Sequence, residues 1–310
     1  MRYLSVCSGV EAATVAWHGL GWQPVAFSEI EKFPSQVLAH HYPDVPNLGD
    51  MTKYKEWNFG TSGLDLLVGG TPCQSFSVAG LRKGLEDPRG NLALVYCGIL
   101  DKFRPKWFVW ENVPGVLSSG KGRDFGSFLG ALAELGYGWS YRVLDAQHFG
   151  VPQRRKRVFV VGHLGDWRHT AKVLFESSCL QGNIKQSRQK REEVARCLTT
   201  GIGTRNDGET DQFVYKGVGA IDLSNTSKTL TASYGTGGPD LDIKPLILSS
   251  AAVRKLTPVE CERLQGFPDN YTNIRENCPD GPRYKAMGNS MAVPVMRWIG
   301  ERIKMVEESQ

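Results

Sequence analysis

The chain has 310 residues, of which 41% are hydrophobic and 22% charged, and its formal net charge is +5. This composition is typical of a globular protein with a large core, and the absence of any run of about 18 apolar residues excludes a transmembrane helix. Seven scattered cysteines without a Cys-x-x-Cys pair argue against a disulfide framework and against a zinc site. We therefore expect a soluble cytoplasmic protein without a metal, whose mild basicity permits an anionic partner.

The first two predicted strands each end in residues suited to a nucleotide-like ligand. Residues 3–7 form the first strand, and Ser8 and Gly9 then make a tight turn into a helix. A strand, a glycine turn and a helix start suit an anionic or nucleotide ligand. Residues 23–28 form the second strand, and Glu29 at its tip can accept hydrogen bonds from both ribose hydroxyls. On that residue alone, a solvated carboxylate is the favoured interpretation.

A cysteine and a glutamate follow the next two buried strands. Residues 64–68 are an apolar strand, and Cys73 follows on a loop with the sequence Gly-Gly-Thr-Pro-Cys. Ligands collect at the carboxyl ends of strands in open α/β sheets, so Cys73 is a candidate nucleophile. The alternative is a small buried cysteine, which is the more ordinary use of that residue. Residues 106–110 form another buried strand, which ends at Glu111.

Strands and helices alternate up to about Gly165, which predicts a largely parallel, doubly wound sheet. The remaining helices and strands predicted in this part are 91–103, 124–135, 137–144 and 157–162. From 166 to 255 the chain is rich in Gly, Ser, Thr and Asn, which predicts a smaller, loop-rich domain. Helices are predicted again over 254–267, with Thr257 as N-cap, and over 289–305.

The order of five short motifs resembles that of the DNA cytosine-5 methyltransferase family of bacteria and their phages. The motifs are Gly70-Thr71-Pro72-Cys73-Gln74-Ser75-Phe76-Ser77, Glu111-Asn112-Val113, Gln153-Arg154-Arg155-Lys156-Arg157, Arg263-Leu264-Gln265-Gly266-Phe267-Pro268 and Gly288-Asn289-Ser290. Any one of them is a weak signal. All five in this order, with a loop-rich stretch between the third and the fourth, are specific.

The resemblance implies an α/β fold with a doubly wound mixed sheet, the Rossmann-like fold of S-adenosylmethionine-dependent methyltransferases. Residues 1–165 plus 286–310 would form the catalytic and cofactor-binding domain, and 166–285 a smaller loop-rich target-recognition domain. The implied activity transfers a methyl group from S-adenosylmethionine to C5 of a cytosine flipped out of a specific duplex DNA sequence. The implied partners are double-stranded DNA and a cognate restriction endonuclease acting on the same site, and the enzyme would be a monomer.

The catalytic roles are also implied by the resemblance. Cys73 would add to C6 of cytosine, which turns C5 into a carbon able to attack an activated methyl group. Glu111 would hold cytosine N3 with a proton, so burial should raise the pKa of its carboxyl group. Arg157 would hold the cytosine O2 and Arg155 would brace the site. The loop at 75–90 would close over the flipped base.

A donor-binding site is implied as well. It comprises Ser8 and Gly9 in the first turn, Glu29 on the ribose hydroxyls, Ile30 on the adenine face, Asp50 on the adenine amino group, and Pro72 and Asn289. The first turn departs from the family pattern, because Cys7 and Glu11 stand where an aromatic residue and further glycines are common. Glu11 would crowd or repel the donor's carboxylate if it pointed inward.

Two alternatives belong to other functional classes. An RNA cytosine-5 methyltransferase would carry a second cysteine where this chain has Glu111-Asn112-Val113, although one subgroup of the DNA-type fold acts on transfer RNA. A DNA-binding regulator with a decayed site is the non-enzymatic alternative. The intact Cys73, Glu111 and Arg157 argue against such decay.

Overall fold

The computed structural model describes residues 1–60, 63–72, 92–175, 246–249 and 252–309. Cys73, the predicted lid at 75–90 and most of the predicted target-recognition region lie outside the described residues. None of the helices in the described parts has the length and apolar character needed to span a membrane.

Six strands form the main sheet of the described residues, and two more pair as a separate antiparallel sheet. The strands are β1 (Arg2–Val6), β2 (Gln23–Ser28), β3 (Leu66–Gly69), β4 (Trp107–Asn112), β5 (Tyr137–Asp145), β6 (Lys156–Leu164), β7 (Leu246–Ser249) and β8 (Ala252–Lys255). The α-helices are α1 (Ala12–Trp17), α2 (Lys32–His41), α3 (Leu92–Phe103), α4 (Arg123–Glu134), α5 (Trp167–Leu174), α6 (Pro258–Gln265), α7 (Asp280–Asn289) and α8 (Val293–Glu308). Short 3₁₀ helices lie at His18–Leu20, Met51–Glu56, Pro114–Leu117, Ser119–Gly122 and Ala146–His148.

The main sheet is mixed, in the order β2-β1-β3-β4-β6-β5. The first four strands are parallel, whereas β6 runs antiparallel to both β4 and β5. The predicted mixed, doubly wound sheet is confirmed, and β5 runs in the same direction as the first four strands, so that within this sheet β6 alone departs from the largely parallel arrangement. The reason is the connection between β5 and β6, which has no crossover helix long enough to return the chain in the same direction.

Helices cover both faces of the sheet and bury its central strands. Every residue of β4 is buried, as expected for a strand covered on both faces. Because successive side chains of a strand point to opposite faces, Phe108 and Trp110 join one core cluster with residues of α3 and α4. Trp107 and Val109 join the other cluster with residues of α1, α5 and α8.

The last helices differ from the prediction. A single helix was expected over 289–305, but α7 ends at Asn289 and α8 begins at Val293. Pro294 explains the break, because proline lacks an N–H and is tolerated only in the first turn of a helix. The helix expected over 254–267 begins at Pro258, with the predicted cap at Thr257.

The final helix packs on the first one, although they are far apart in sequence. Trp17 Nε1 in α1 donates a hydrogen bond to Met296 O in α8 at 2.7 Å. Gly300 allows this approach, since a Cβ there would lie 2.4 Å from Trp17 Nε1. This contact brings the segment between α7 and α8 to the carboxyl end of β1.

The predicted division into domains stays a prediction, because most of residues 166–285 lie outside the described parts. Within that range, α5 packs on β5, β6 and α8. Leu256 and Phe267 belong to the same core cluster as α1 and α8. These described segments of the range thus pack on the main sheet.

Candidate active site

A large cleft lies at the carboxyl ends of the four parallel strands. Its volume is about 1180 Å³. The cleft is lined by nine of the residues predicted from the sequence: Gly9, Glu29, Ile30, Asp50, Pro72, Glu111, Arg155, Arg157 and Asn289. Ser8 lines a smaller adjoining cavity, and Cys73 lies outside the described residues. Ligands are expected at this edge of an open α/β sheet.

Glu29 is held rigidly at the tip of β2. One carboxylate oxygen accepts from Gly9 N at 2.8 Å, and the other accepts from Glu31 N at 2.7 Å. A carboxylate has about four acceptor positions, so each oxygen retains capacity for a ligand hydroxyl. Two backbone amides thus orient the Glu29 carboxylate and leave acceptor positions available for a ligand.

Asn47 is a positioning residue that the sequence did not reveal. Its Oδ1 accepts from Glu29 N at 3.0 Å and its Nδ2 donates to Glu29 O at 3.0 Å. The same Oδ1 accepts from Gly49 N at 3.1 Å. Asn47 thereby fixes the backbone of Glu29 and the turn that leads to Asp50. Its position before Gly-Asp is a turn signal, but nothing local identifies its distant partner.

The hydroxyl of Ser8 serves the backbone. Its Oγ donates to Ser5 O at 3.0 Å and accepts from Ser28 N at 3.1 Å. These bonds join the end of β1 to the end of β2. Ser8 therefore shapes the first turn through its hydroxyl, while Gly9 contributes the N–H that binds Glu29.

Ile30 and Asp50 present different chemistry to the cleft. Ile30 is 74% exposed, which is unusual for a large apolar side chain, and offers a flat apolar surface. Asp50 is exposed and its Oδ1 accepts from Thr52 N at 2.9 Å, which caps the short helix that follows. The other oxygen of Asp50 stays available to a polar ligand group.

Glu111 and Arg157 form an ion pair on the opposite wall of the cleft. Arg157 Nε lies 3.1 Å from Glu111 Oε1, and the antiparallel pairing of β4 with β6 places the two side chains together. Burial raises the pKa of Glu111, and the positive charges of Arg157 and Arg155 oppose that rise. Burial likewise lowers the pKa of Arg157, against the attraction of Glu111. The predicted direction for the Glu111 pKa is thus confirmed.

Arg155 ties the wall to the segment between α7 and α8. Its guanidinium donates to Ser290 O at 2.7 Å and to Gly288 O at 3.3 Å. Its own N–H donates to Asp145 Oδ1 at 2.9 Å. Burial and the neighbouring Arg157 lower the pKa of Arg155 to about 9, while Glu111 raises it. These bonds fit the bracing role expected of this arginine.

Two buried glutamines extend this brace. Gln153 Nε2 donates to Leu264 O at 2.8 Å, and Gln265 Nε2 donates to Met287 O at 2.7 Å. Three of the five sequence motifs therefore meet through bonds between side chains and backbone carbonyls. The motif order predicts that these segments lie close together, but it does not predict which atoms form the hydrogen bonds.

The strand that carries Glu111 also anchors the chain before Cys73. Asn112 Nδ2 donates to Thr71 O at 3.0 Å, and Trp110 Nε1 donates to Thr71 Oγ1 at 3.1 Å. Both bonds are buried. They fix the backbone two residues before Cys73, so Asn112 and Trp110 are positioning residues that sequence reasoning did not single out.

Gly70 lies against Glu111. A Cβ at this position would be 2.8 Å from Glu111 Oε2 and 3.3 Å from Met291 Cε. Its neighbour Gly69 is equally confined, because a Cβ there would be 2.5 Å from Val6 O. The two glycines of the Gly-Gly-Thr-Pro-Cys loop are therefore required by close approach.

Glu11 lies just before α1, and both its backbone conformation and its burial are unusual for a glutamate. Its φ is 67°, in the left-handed region that favours glycine. The residue is 1% exposed, and Oε1 accepts from Thr14 N at 3.2 Å. Burial raises the pKa of Glu11 to about 7, and the Ser5 and Thr14 side chains partly oppose this rise. The question of whether Glu11 points inward is thereby answered, since the side chain lines the smaller cavity.

The sequence model of the C-5 cytosine-specific DNA methylases matches residues 1–305, so the chain belongs to this family. A protein of Escherichia phage P1 named DNA N-6-adenine-methyltransferase is 36% identical, over 97% of this chain but only 61% of its own length. The type II methyltransferase M.SsoII of Shigella sonnei is 32% identical, over 97% of this chain and 79% of its own. The structure of Schizosaccharomyces pombe Dnmt2 is similar in fold, with a TM-score of 0.69, 20% identity, and coverage of 100% and 99% of the two chains.

Membership of this family confirms the predicted enzyme class, a DNA cytosine-5 methyltransferase, and the predicted donor, S-adenosylmethionine. The cleft fits that donor chemically. Glu29 offers acceptors for vicinal hydroxyls, Ile30 offers an apolar face, and Asp50 offers a carboxylate oxygen beside them. The buried carboxyl group of Glu11 lines the smaller adjoining cavity.

Proposed function

We propose that this chain methylates C5 of a cytosine that is flipped out of a specific duplex DNA sequence, through a covalent bond between Cys73 and C6. The observation that carries the proposal is the ion pair between the buried Glu111 and the half-buried Arg157. It lies in the same cleft as the donor-side residues Glu29 and Asp50. An acid and a planar cation that lie side by side in a largely buried wall suit recognition of a ring nitrogen beside a carbonyl.

Cys73 is the proposed nucleophile, and the anchored backbone at Thr71 supports this role. Addition of the thiolate to C6 makes C5 electron-rich, since the ring carbons of cytosine do not attack a methyl group unaided. C5 then takes the methyl group from the donor sulfur, and loss of the C5 proton to a base expels the Cys73 sulfur. The donor supplies a methyl group activated by the positive charge on its sulfur.

Glu111 and Arg157 are proposed to bind the Watson–Crick edge of the flipped base. Arg157 would donate from its guanidinium to the cytosine O2, a planar acceptor that suits the fork of arginine. Glu111 would donate a proton or hydrogen bond to N3 as charge builds on the ring. Its burial supports this role, because burial raises the pKa of the Glu111 carboxyl group and so favours its protonated form.

The donor would lie along the row of residues at the ends of β1 and β2. We assign its ribose hydroxyls to Glu29, its adenine to the face of Ile30 and to Asp50, and its remaining contacts to Gly9, Pro72 and Asn289. The preset orientation of Glu29 supports this assignment, because both of its oxygens are already fixed by backbone amides. Ser8 would act through the shape of the turn.

The remaining proposals concern partners. Residues 1–165 plus 286–310 would act as the catalytic part and 166–285 as the part that reads DNA. The enzyme would act as a monomer in the cytoplasm of a bacterium or of a phage-infected host. A cognate restriction endonuclease acting on the same site is proposed from the type II relatives.

Methyl transfer with tritiated S-adenosylmethionine tests the proposal. Duplex DNA and RNA are compared as substrates, and digested products are separated into 5-methylcytosine and N6-methyladenine. We expect label only in 5-methylcytosine of DNA. Label in RNA would favour the RNA alternative, and label in adenine would assign to this chain the activity that the phage P1 relative is named for.

The nucleophile is tested by Cys73→Ser, with Cys278→Ser as the matched control. Cys278 is half-buried and outside the cleft. We expect Cys73→Ser to lower the rate by at least about 1000-fold, as loss of a nucleophile does, and the control to retain it. A covalent adduct should form on duplex DNA carrying 5-fluorocytosine. Full activity of Cys73→Ser, or no adduct with an active enzyme, would refute attack at C6.

A further inference from the structure

Glu11 is a strained and buried residue that the proposed reaction does not use. A non-glycine residue at a φ of 67° is disfavoured, and glycine would avoid that strain. Its Oε2 is inaccessible to solvent and has no hydrogen-bond partner in the part of the chain that the structure describes. Strain and an unsatisfied polar atom at one residue are typical of a functional position.

Glu11 lines a recess of about 40 Å³. The other walls include Ser5, Ser290 and five residues that also line the main cleft: Cys7, Gly9, Gly70, Glu111 and Asn289. The recess is therefore a side pocket of the cleft floor. A water needs about 10–15 Å³ on this measure, so the recess holds a small group of a few atoms.

No positive charge balances Glu11 within the described residues. The charged and titratable groups that act with it or share its recess are Glu29, Glu111, Cys7 and the phenols of Tyr3, Tyr42 and Tyr271. No lysine, arginine or histidine of the described residues contributes to its pKa, which burial raises. A buried carboxylate without a partner is unfavourable, so the recess favours a cationic ligand group.

We infer that Glu11 binds the α-ammonium group of the methionine part of the donor. This inference rests on the proposed function and adds a positioning residue to it. Asp50 and Ile30 are assigned to the adenine and Glu29 to the ribose, which leaves the recess beside Asn289 for the amino-acid end. That end carries the ammonium group, whereas the donor's sulfur must face the base next to Glu111.

The sequence predicts that an inward-pointing Glu11 crowds or repels the donor's carboxylate, but the same charge attracts the ammonium group at that end of the donor. A carboxylate here disfavours the donor's carboxylate and favours its ammonium, so it selects the orientation of the amino-acid end. Binding of a cation then offsets the unfavourable burial of Glu11. Charge-assisted hydrogen bonds are shorter and stronger than neutral ones.

The test is calorimetric binding of two ligands that share the nucleoside and the thioether. S-adenosylhomocysteine carries the amino-acid end, and 5′-methylthioadenosine lacks it. Glu11→Gln keeps the side-chain length and an acceptor for Thr14 N but removes the charge. Glu134→Gln on exposed α4 makes the same charge change away from the cleft.

We expect Glu11→Gln to weaken S-adenosylhomocysteine by at least about tenfold, the loss for one charge-assisted bond. Binding of 5′-methylthioadenosine should change less than about twofold, and Glu134→Gln should bind both ligands like the wild type. The wild type should also bind S-adenosylhomocysteine more tightly as the pH rises from 6 to 8, because Glu11 must lose its proton. Glu11→Gln should lack this dependence.

Equal affinity of the wild type and Glu11→Gln for S-adenosylhomocysteine would overturn the inference and leave the proposed function intact. Equal weakening of both ligands would also overturn it, because it would indicate a structural role. Failure of the folded wild type to bind S-adenosylhomocysteine at all would refute both the inference and the proposed function. If Glu11→Gln does not fold, the pH dependence of the wild type decides, and its absence counts against the inference.

Discussion

Two buried carboxyl groups face the same cleft, and the protein balances them differently. Glu111 lies 3.1 Å from the guanidinium of Arg157 and near that of Arg155. Glu11 interacts with Thr14 and the Ser5 side chain but has no cation beside it among the described residues. The wall proposed to bind the base is thus charge-balanced before a substrate arrives. The recess proposed to bind the donor is balanced only by its ligand.

The largest expected effect is that of Glu111→Gln on catalysis. The amide can still accept from Arg157 but cannot hold a transferable proton, so the methyl-transfer rate should fall by about 100- to 10,000-fold. Affinity for S-adenosylhomocysteine should change by less than about threefold, because the donor contacts are elsewhere. Single-turnover kinetics and calorimetry measure the two effects. A methyl-transfer rate of Glu111→Gln near that of the wild type would contradict the catalytic role proposed for Glu111.

Gly70→Ala is expected to act on the same carboxyl group through its position. The new Cβ would lie 2.8 Å from Glu111 Oε2, so the side chain must move. A displacement of this kind costs about 100-fold in rate when a catalytic group is misplaced. Gly126→Ala is the matched control, because a Cβ there has nothing within 4 Å. Equal activity of the two variants would show that the position of Glu111 is not critical.

The smallest effects, on stability, should differ in size at the two carboxyl groups. The folded-state pKa of Glu11 is raised from 4.5 to about 7, so its ionisation destabilises the fold as the pH rises through that range. Without donor, Glu11→Gln should therefore be more stable than the wild type at pH 8, by up to about 3 kcal/mol. This gain should shrink steadily towards pH 5.

Glu111→Gln should change the stability at pH 8 by less than Glu11→Gln does, because the charges of Arg157 and Arg155 oppose the rise that burial causes in the pKa of Glu111. Urea unfolding at several pH values measures both variants. A loss of stability in Glu11→Gln at pH 8 would contradict the view that its carboxylate is uncompensated. A gain in Glu111→Gln as large as that in Glu11→Gln would mean that the two arginines do not compensate Glu111.

The sequence was most informative where local chemistry determines local structure. The motif residues Glu111 and Arg157 were expected in one site, and the structure brings them within 3.1 Å. The cap of α6 was expected at Thr257, and its side chain and that of Glu260 form a capping box. The cap depends on residue types at short spacing, which a single sequence displays, whereas Glu111 and Arg157 are far apart in sequence and were expected in one site from the family resemblance.

Features that depend on distant partners could not be predicted. Asn47 is an ordinary polar residue by position, and Asn112 was expected only as a member of a motif; their roles come from Glu29 and Thr71 across the fold. The antiparallel direction of β6 depends on the connection between β5 and β6, and the hydrophobic periodicity of the sequence does not reveal it. For Glu11, the sequence indicated a departure from the family pattern, but its burial and lack of a counter-charge required the tertiary structure.

The chain leaves and rejoins one core at two residues that are far apart in sequence. Phe175, just after α5, and Leu256, just before α6, both pack on the cluster that holds α1 and α8. The free-energy cost of closing a flexible loop grows only with the logarithm of its length, by about 0.6 kcal/mol for each doubling. The intervening stretch can therefore be lengthened, shortened or exchanged at little cost to the cleft. With the proposed DNA-reading role of this stretch, such an arrangement would let the choice of DNA target evolve by replacement of one segment while the chemistry is inherited unchanged.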